Sequence, residues 1–188
     1  MSETSASVLK VADLLRIAGW ICVNGIAAWL GGSVICRDSP QVTAVTLGVV
    51  LGVLQSTAVS RSWREALAWA ALTTMALTLA VFFAIVPVFL ADYGVFHEVW
   101  IAGALLGLAV GAALGIAQGA VFQMRDEPGR VIGIWTLGNS AAGAIVGAVW
   151  IAVPRSGCGP QDLAVAAAGA AFGALTALPL AVILIRSR

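Results

Sequence analysis

Charge is the scarcest commodity in this chain. Only 10% of its 188 residues are Asp, Glu, Lys or Arg, against about a quarter in an ordinary soluble domain. Histidine occurs once, as His97. The runs 17–36, 41–60, 66–91, 99–123, 131–153 and 163–185 contain no Asp, Glu, Lys, Arg or His at all. Ionisable residues inside a membrane mark proton relays and paths for charged substrates. Their absence argues against a proton-coupled transporter, an aspartyl protease or a pump, and leaves passage of a neutral or weakly polar solute open.

Reactive groups are equally sparse. His97 lies in "ADYGVFHEVW" beside Glu98 and near Asp92. Adjacent residues on a helix point in different directions, so a metal site there would need ligands from elsewhere. There is no haem-type histidine pair, zinc cluster or Gly-rich phosphate loop. "GCG" at 157–159 has no histidine in the apolar runs to activate a cysteine nucleophile. The expectation is a protein that is not an enzyme, with no catalytic residue, metal, cofactor or nucleic-acid partner.

What the chain has is apolar length. It is 61% hydrophobic, and each uncharged run is close to the about 20 residues that cross a hydrocarbon core. The composition predicts an all-α integral membrane protein of six transmembrane helices. Residues 17–185 form the membrane domain. Residues 1–16 form a tail and an interfacial amphipathic segment, with "VLKVADLLRI" at 8–17 as its lead-in. Residues 186–188 are a basic tail. The first run is too long for a secretory h-region, and "SVIC" lacks the small residue a lipoprotein site wants before cysteine, so the helix is read as retained.

If six helices alternate, Lys10, Arg16, Arg61, Arg64, Arg125, Arg130, Arg186 and Arg188 share one side, and Arg37 and Arg155 the other. That bias predicts both termini in the cytoplasm of a bacterial inner membrane. Trp20, Trp63, Trp69 and Trp135 are expected in the cytoplasmic aromatic belt, and Trp100 and Trp150 in the outer one.

Glycine, by contrast, is regular. In "GALLGLAVGAALGIAQGA", Gly103, Gly107, Gly111, Gly115 and Gly119 recur every fourth position. Each costs about 1 kcal/mol of helix propensity relative to alanine, and each permits a close helix–helix approach that lipid-embedded segments depend on. A step of four drifts about 40° around a helix of 3.6 residues per turn. One straight neighbour should therefore not use the whole stripe, and helix 4 is expected to cross obliquely or to touch different helices at its two ends. The spacing recurs as Gly48-x3-Gly52-x2-Gln55, Gly111-x3-Gly115-x2-Gln118 and Gly169-x3-Gly173-x2-Thr176. Trp20, Asn24, Ala28 and Gly32 match Trp135, Asn139, Gly143 and Gly147, with Trp69 and Thr73 a reduced copy. The reading is a glycine-zippered bundle of three repeated helical hairpins, 1–2, 3–4 and 5–6.

The repeat sets Asn24, Gln55, Thr73, Gln118, Asn139 and Thr176 at one depth in the cytoplasmic half. An unpaired amide facing lipid costs several kcal/mol, so all six are expected to point inward, as interhelical hydrogen bonds or as a ligand site. Cys36 and Cys158 fall on the oxidising outer face and are a candidate disulfide joining the first and last hairpins. Cys22 reads as a small packing residue. Pro87 and Pro179 should kink helices 3 and 6, and Pro154 and Pro160 bracket an outer loop. The chain is similar, in size and topology alone, to substrate-capturing subunits of energy-coupling vitamin transporters. No motif carries that likeness, so it brings no function. The expected function is a small-molecule carrier or membrane-embedded substrate-binding subunit for a neutral ligand. The alternative is a non-transporting subunit that packs on membrane partner proteins through its glycine stripes.

Overall fold

The structure, a computed structural model, describes residues 10–35, 40–92, 99–124, 129–152 and 162–186. The described residues form six helices: α1 (Val11–Ile35), α2 (Pro40–Val59), α3 (Trp63–Asp92), α4 (Val99–Gln123), α5 (Gly129–Ala152) and α6 (Asp162–Arg186). They lie where the uncharged runs predict them. Local chemistry fixes the starts. The carboxylate of Asp13 accepts from the Lys10 backbone N–H at 3.0 Å. At α3, Ser62 Oγ accepts from Glu65 N–H at 3.3 Å and the Glu65 carboxylate accepts from Arg61 N–H at 2.8 Å. Both arrangements satisfy donors that a helix end leaves orphaned. Because the cap at Lys10 lies within the expected interfacial segment, α1 runs without interruption through residues 16 and 17, and Asp13 and Arg16 are part of the helix.

Among the described residues four stretches, Val11–Leu30, Trp100–Gln123, Gly129–Val149 and Ala164–Ile185, are long and apolar enough to cross a membrane, and α2 adds the shorter Val45–Val59. Their outward faces are apolar: Ile26, Val49, Met75, Leu108, Ile116, Leu137 and Leu178 are all exposed, whereas the amides of Asn24, Gln55, Gln118 and Asn139 are buried. A polar interior under an apolar exterior suits lipid, not water. This is an integral membrane protein.

Among the described residues each helix packs on its two neighbours in sequence, and α6 packs back on α1. The six therefore form a closed ring. The packing alternates. The pairs α2–α3, α4–α5 and α6–α1 are close, the pairs between them are looser, and α5–α6 is the loosest. Glycine explains the close pairs. A Cβ on Gly52 would lie 2.7 Å from Ala70 Cα, and one on Gly48 2.7 Å from Thr74 Cα. At α6–α1, a Cβ on Gly169 would strike the Ala28 methyl group, and one on Gly173 would lie 3.0 Å from Ile21 Cα.

The α4 stripe departs from expectation. Gly107 meets Gly143, Gly111 meets the Asn139 carbonyl, and a Cβ on Gly147 would strike the Gly103 carbonyl; Gly115 faces Thr136 and Gly119 faces Ile132. All five α4 glycines thus serve one neighbour. The reason is that the α5 residues they meet also step back by three or four, so the two stripes drift together and stay matched along the interface.

The centre of the ring is layered. At one end Trp20, Trp69 and Trp135, one from each odd-numbered helix, cluster with Phe122, Val121, Val131, Ala177, Leu180 and Ile183. At the other side Ala27, Leu51, Ala76, Leu77 and Leu114 form a second apolar cluster. The polar residues occupy the layer between them.

Candidate functional site: a buried ring of amides and hydroxyls

Each helix contributes one polar side chain to that layer: Asn24, Gln55, Thr73, Gln118, Asn139 and Thr176, none more than 2% exposed. Asn24, Thr73 and Asn139 follow a core tryptophan by four residues, so they rise one turn above it on the same helix face. Helical periodicity alone carries them to the axis once the tryptophans point there.

Four of the six join directly. Gln55 is the hub: its Nε2 donates to Asn24 Oδ1 at 2.9 Å, and its Oε1 accepts from Trp69 Nε1 at 3.2 Å and from Gln118 Nε2 at 2.8 Å. Gln118 Nε2 also reaches Thr73 Oγ1 at 3.1 Å. Thr176 joins through a tryptophan, its Oγ1 accepting from Trp20 Nε1 at 2.8 Å, and it lies 2.9 Å from the Phe172 carbonyl to which it donates. Asn139 stands apart. Its Nδ2 donates back to the Trp135 carbonyl at 2.9 Å, as Asn24 does to the Trp20 carbonyl at 2.8 Å, but it bonds to no other member of the ring.

Three buried atoms in the layer have no hydrogen-bond partner among the described residues: Gln118 Oε1, Trp135 Nε1 and Asn139 Oδ1. Ser60 Oγ, at the end of α2, is a fourth such atom, away from the layer. A buried donor or acceptor left unmade costs about 1–3 kcal/mol, so three in one place weigh heavily against a net stability of about 5–15 kcal/mol. The indole of Trp135 cannot turn away to relieve this. It is held edge to face by Trp20, Trp69 and Phe122, with ring centroids 5.4, 6.0 and 5.6 Å away.

The layer holds no ionisable group, and no cluster of three metal-binding side chains occurs among the described residues. Its chemistry is neutral hydrogen bonding, suited to holding an uncharged polar group. Asp13, also buried, lies seven residues before Trp20 on the same face of α1, outside the layer.

The tryptophans correct the sequence reading most. Trp20, Trp69 and Trp135 are fully buried and donate or face into the polar layer instead of lining a membrane belt, while Trp63 and Trp100 are exposed. The signal was present in the Trp-x3-Asn spacing, which sets both side chains on one face. Cys22 is exposed, not packed, because two residues beyond Trp20 is about 200° around the helix. Pro179 lies inside α6, its ring filling the space beside Gly138, where a Cβ would come within 2.5 Å of Pro179 Cγ. Cys36, Cys158, His97, Glu98, Pro154 and Pro160 lie outside the described residues, as do the side chains of Pro87 and Trp150.

No family model, curated protein or solved structure matches this chain.

Proposed function

We propose that the protein is a small-molecule carrier or membrane-embedded substrate-binding subunit, built from three hairpins in like orientation, with the buried polar layer as its ligand site. The observation that carries this reading is the set of three unpartnered atoms, Gln118 Oε1, Trp135 Nε1 and Asn139 Oδ1, in a layer whose other polar groups are bonded. Polar groups that the chain leaves unmet at such cost are the ones a guest would meet.

Equivalent contacts support the repeat. Gly52, Gly115 and Gly173 face Ala70, Thr136 and Ile21, each the residue after a core tryptophan. Gly48, Gly111 and Gly169 face Thr74, Asn139 and Asn24, about a turn further on. The split of basic residues supports both termini in the cytoplasm of a bacterial inner membrane, with the tryptophan cluster on that side.

A second reading, a non-transporting subunit of a membrane complex, draws on the apolar exterior and on the bonding of Gln55, which closes part of the layer like structural glue. Native mass spectrometry of the protein, purified in mild detergent from its own host, separates the two. A defined small molecule retained by the monomer, and lost in Gln118→Leu, is the expected result. Stoichiometric protein partners with no retained small molecule would overturn the carrier reading in favour of the subunit.

A further inference from the structure

The three open atoms are not scattered. Two bonding patterns run around the ring, and both fail at α5. In the first, a tryptophan indole donates to the polar residue of the helix before it in the ring: Trp69 to Gln55, and Trp20 to Thr176. The third pair would be Trp135 to Gln118, across a junction where Gly115 meets Thr136 as Gly52 meets Ala70. That bond is not made: the Gln118 amide turns its Nε2 to Gln55 and Thr73, and the Trp135 Nε1–H has no acceptor. Gln118 Oε1, the other end of the same planar amide, is left unpartnered.

In the second pattern, the even-numbered helix donates an amide to its odd-numbered neighbour: Gln55 Nε2 to Asn24 Oδ1, and Gln118 Nε2 to Thr73 Oγ1. The third pair would be from α6 to Asn139 Oδ1. Here α6 carries Thr176, shorter than glutamine by two non-hydrogen atoms and without an amide. Its hydroxyl is engaged by Trp20 and by its own helix. The missing atoms are those that would have donated to Asn139, and the α5–α6 pair is the loosest in the ring.

We propose that this break in the ring is a binding site for one small uncharged guest. The guest accepts the Trp135 Nε1–H and donates hydrogens to Asn139 Oδ1 and Gln118 Oε1. Water has that complement, two donor hydrogens and a lone pair, and so does the primary-amide end of a small solute, whereas a hydroxyl has one hydrogen too few. Anions are excluded by the two carbonyl oxygens, and a bare cation by the indole N–H. The inference rests on the reading of the polar layer as a ligand site and names the ligand's chemistry.

The test uses the full chain with 15N-labelled tryptophan indoles in lipid nanodiscs, the Trp135 resonance being identified by its loss in Trp135→Phe. Expected is magnetisation transfer from water to the Trp135 indole, or a shift of that resonance on adding acetamide, while Trp20 and Trp69 stay unmoved. Thr176→Gln supplies the missing amide from within the chain and should abolish the signal; if that variant does not fold, Asn139→Leu serves. A Trp135 indole with neither water contact nor acetamide shift overturns the proposal. So does a signal that persists in the folded variant.

Swelling of proteoliposomes in acetamide tests the carrier reading separately. Carriage predicts uptake faster than in protein-free vesicles, falling about tenfold in Thr176→Gln for the loss of roughly one hydrogen bond's worth of selectivity. Water contact at Trp135 without uptake upholds the site and retires the carrier. Uptake with a silent Trp135 keeps the carrier and overturns the site.

Discussion

At Gly111 one methyl group decides whether two helices fit. Its Cβ would strike the Asn139 carbonyl oxygen, whereas a Cβ on Gly133 would meet nothing within 4 Å. Gly111→Ala is therefore expected to lower the thermal unfolding midpoint in detergent, because overpacking costs about 1–3 kcal/mol. Gly133→Ala should leave it unchanged or raise it, through about 1 kcal/mol of helix propensity. Equal effects of the two would mean that α4 and α5 do not meet along the stripe. At this scale, spacing was legible and direction was not. The period of four announced a contact surface in Gly103 to Gly119 without naming the partner. Trp20, Trp69 and Trp135 misled because a buried indole and a belt indole have the same composition; only the face each shares with Asn24, Thr73 and Asn139 tells them apart.

At the scale of the helix pair, Gln55 ties α2 to three other helices. Gln55→Leu removes three bonds and leaves Asn24 Oδ1 and Trp69 Nε1 buried and unpaired, a loss of about 2–5 kcal/mol. Thr73→Val removes one bond at 3.1 Å, worth about 0.6 kcal/mol between membrane helices. Unfolding midpoints in a detergent–urea or thermal series should rank the wild type, then Thr73→Val, then Gln55→Leu. A reversed order would show that the hub lies elsewhere. That Gln55 and Gln118 enter the same layer was legible from the shared Gly-x3-Gly-x2 lead. That Gln55 is the hub was not, since it depends on how each amide turns among neighbours far away in sequence.

For the whole molecule, the exposed Arg61, Arg64 and Arg130 lie at the end of the ring that carries the tryptophan cluster. In a chain freed of its other cysteines, Arg61→Cys and Arg130→Cys are expected to react with a membrane-impermeant maleimide only after the cytoplasmic face is opened. Labelling of intact cells would invert the orientation proposed above. The pair Cys36 and Cys158, a candidate disulfide by sequence, gives a second whole-molecule test: on non-reducing electrophoresis a bond shows as a mobility change on reduction that either cysteine-to-serine variant removes, and two free thiols show none.

Charge spacing and helical period set the number of helices, their limits and the depth of the polar residues, because those depend on residues a few positions apart and on the requirement that backbone groups in lipid be bonded within their own helix. Closure of α6 onto α1, use of the whole glycine stripe by α5, and burial of the three indoles were decided by the rotation of each helix against its neighbours. So was the break in the bonding pattern at α5. Gln118 has several donors and acceptors within reach, and no local rule says which it takes; Thr176 reveals what it omits only when α6 stands beside Asn139 in a closed ring.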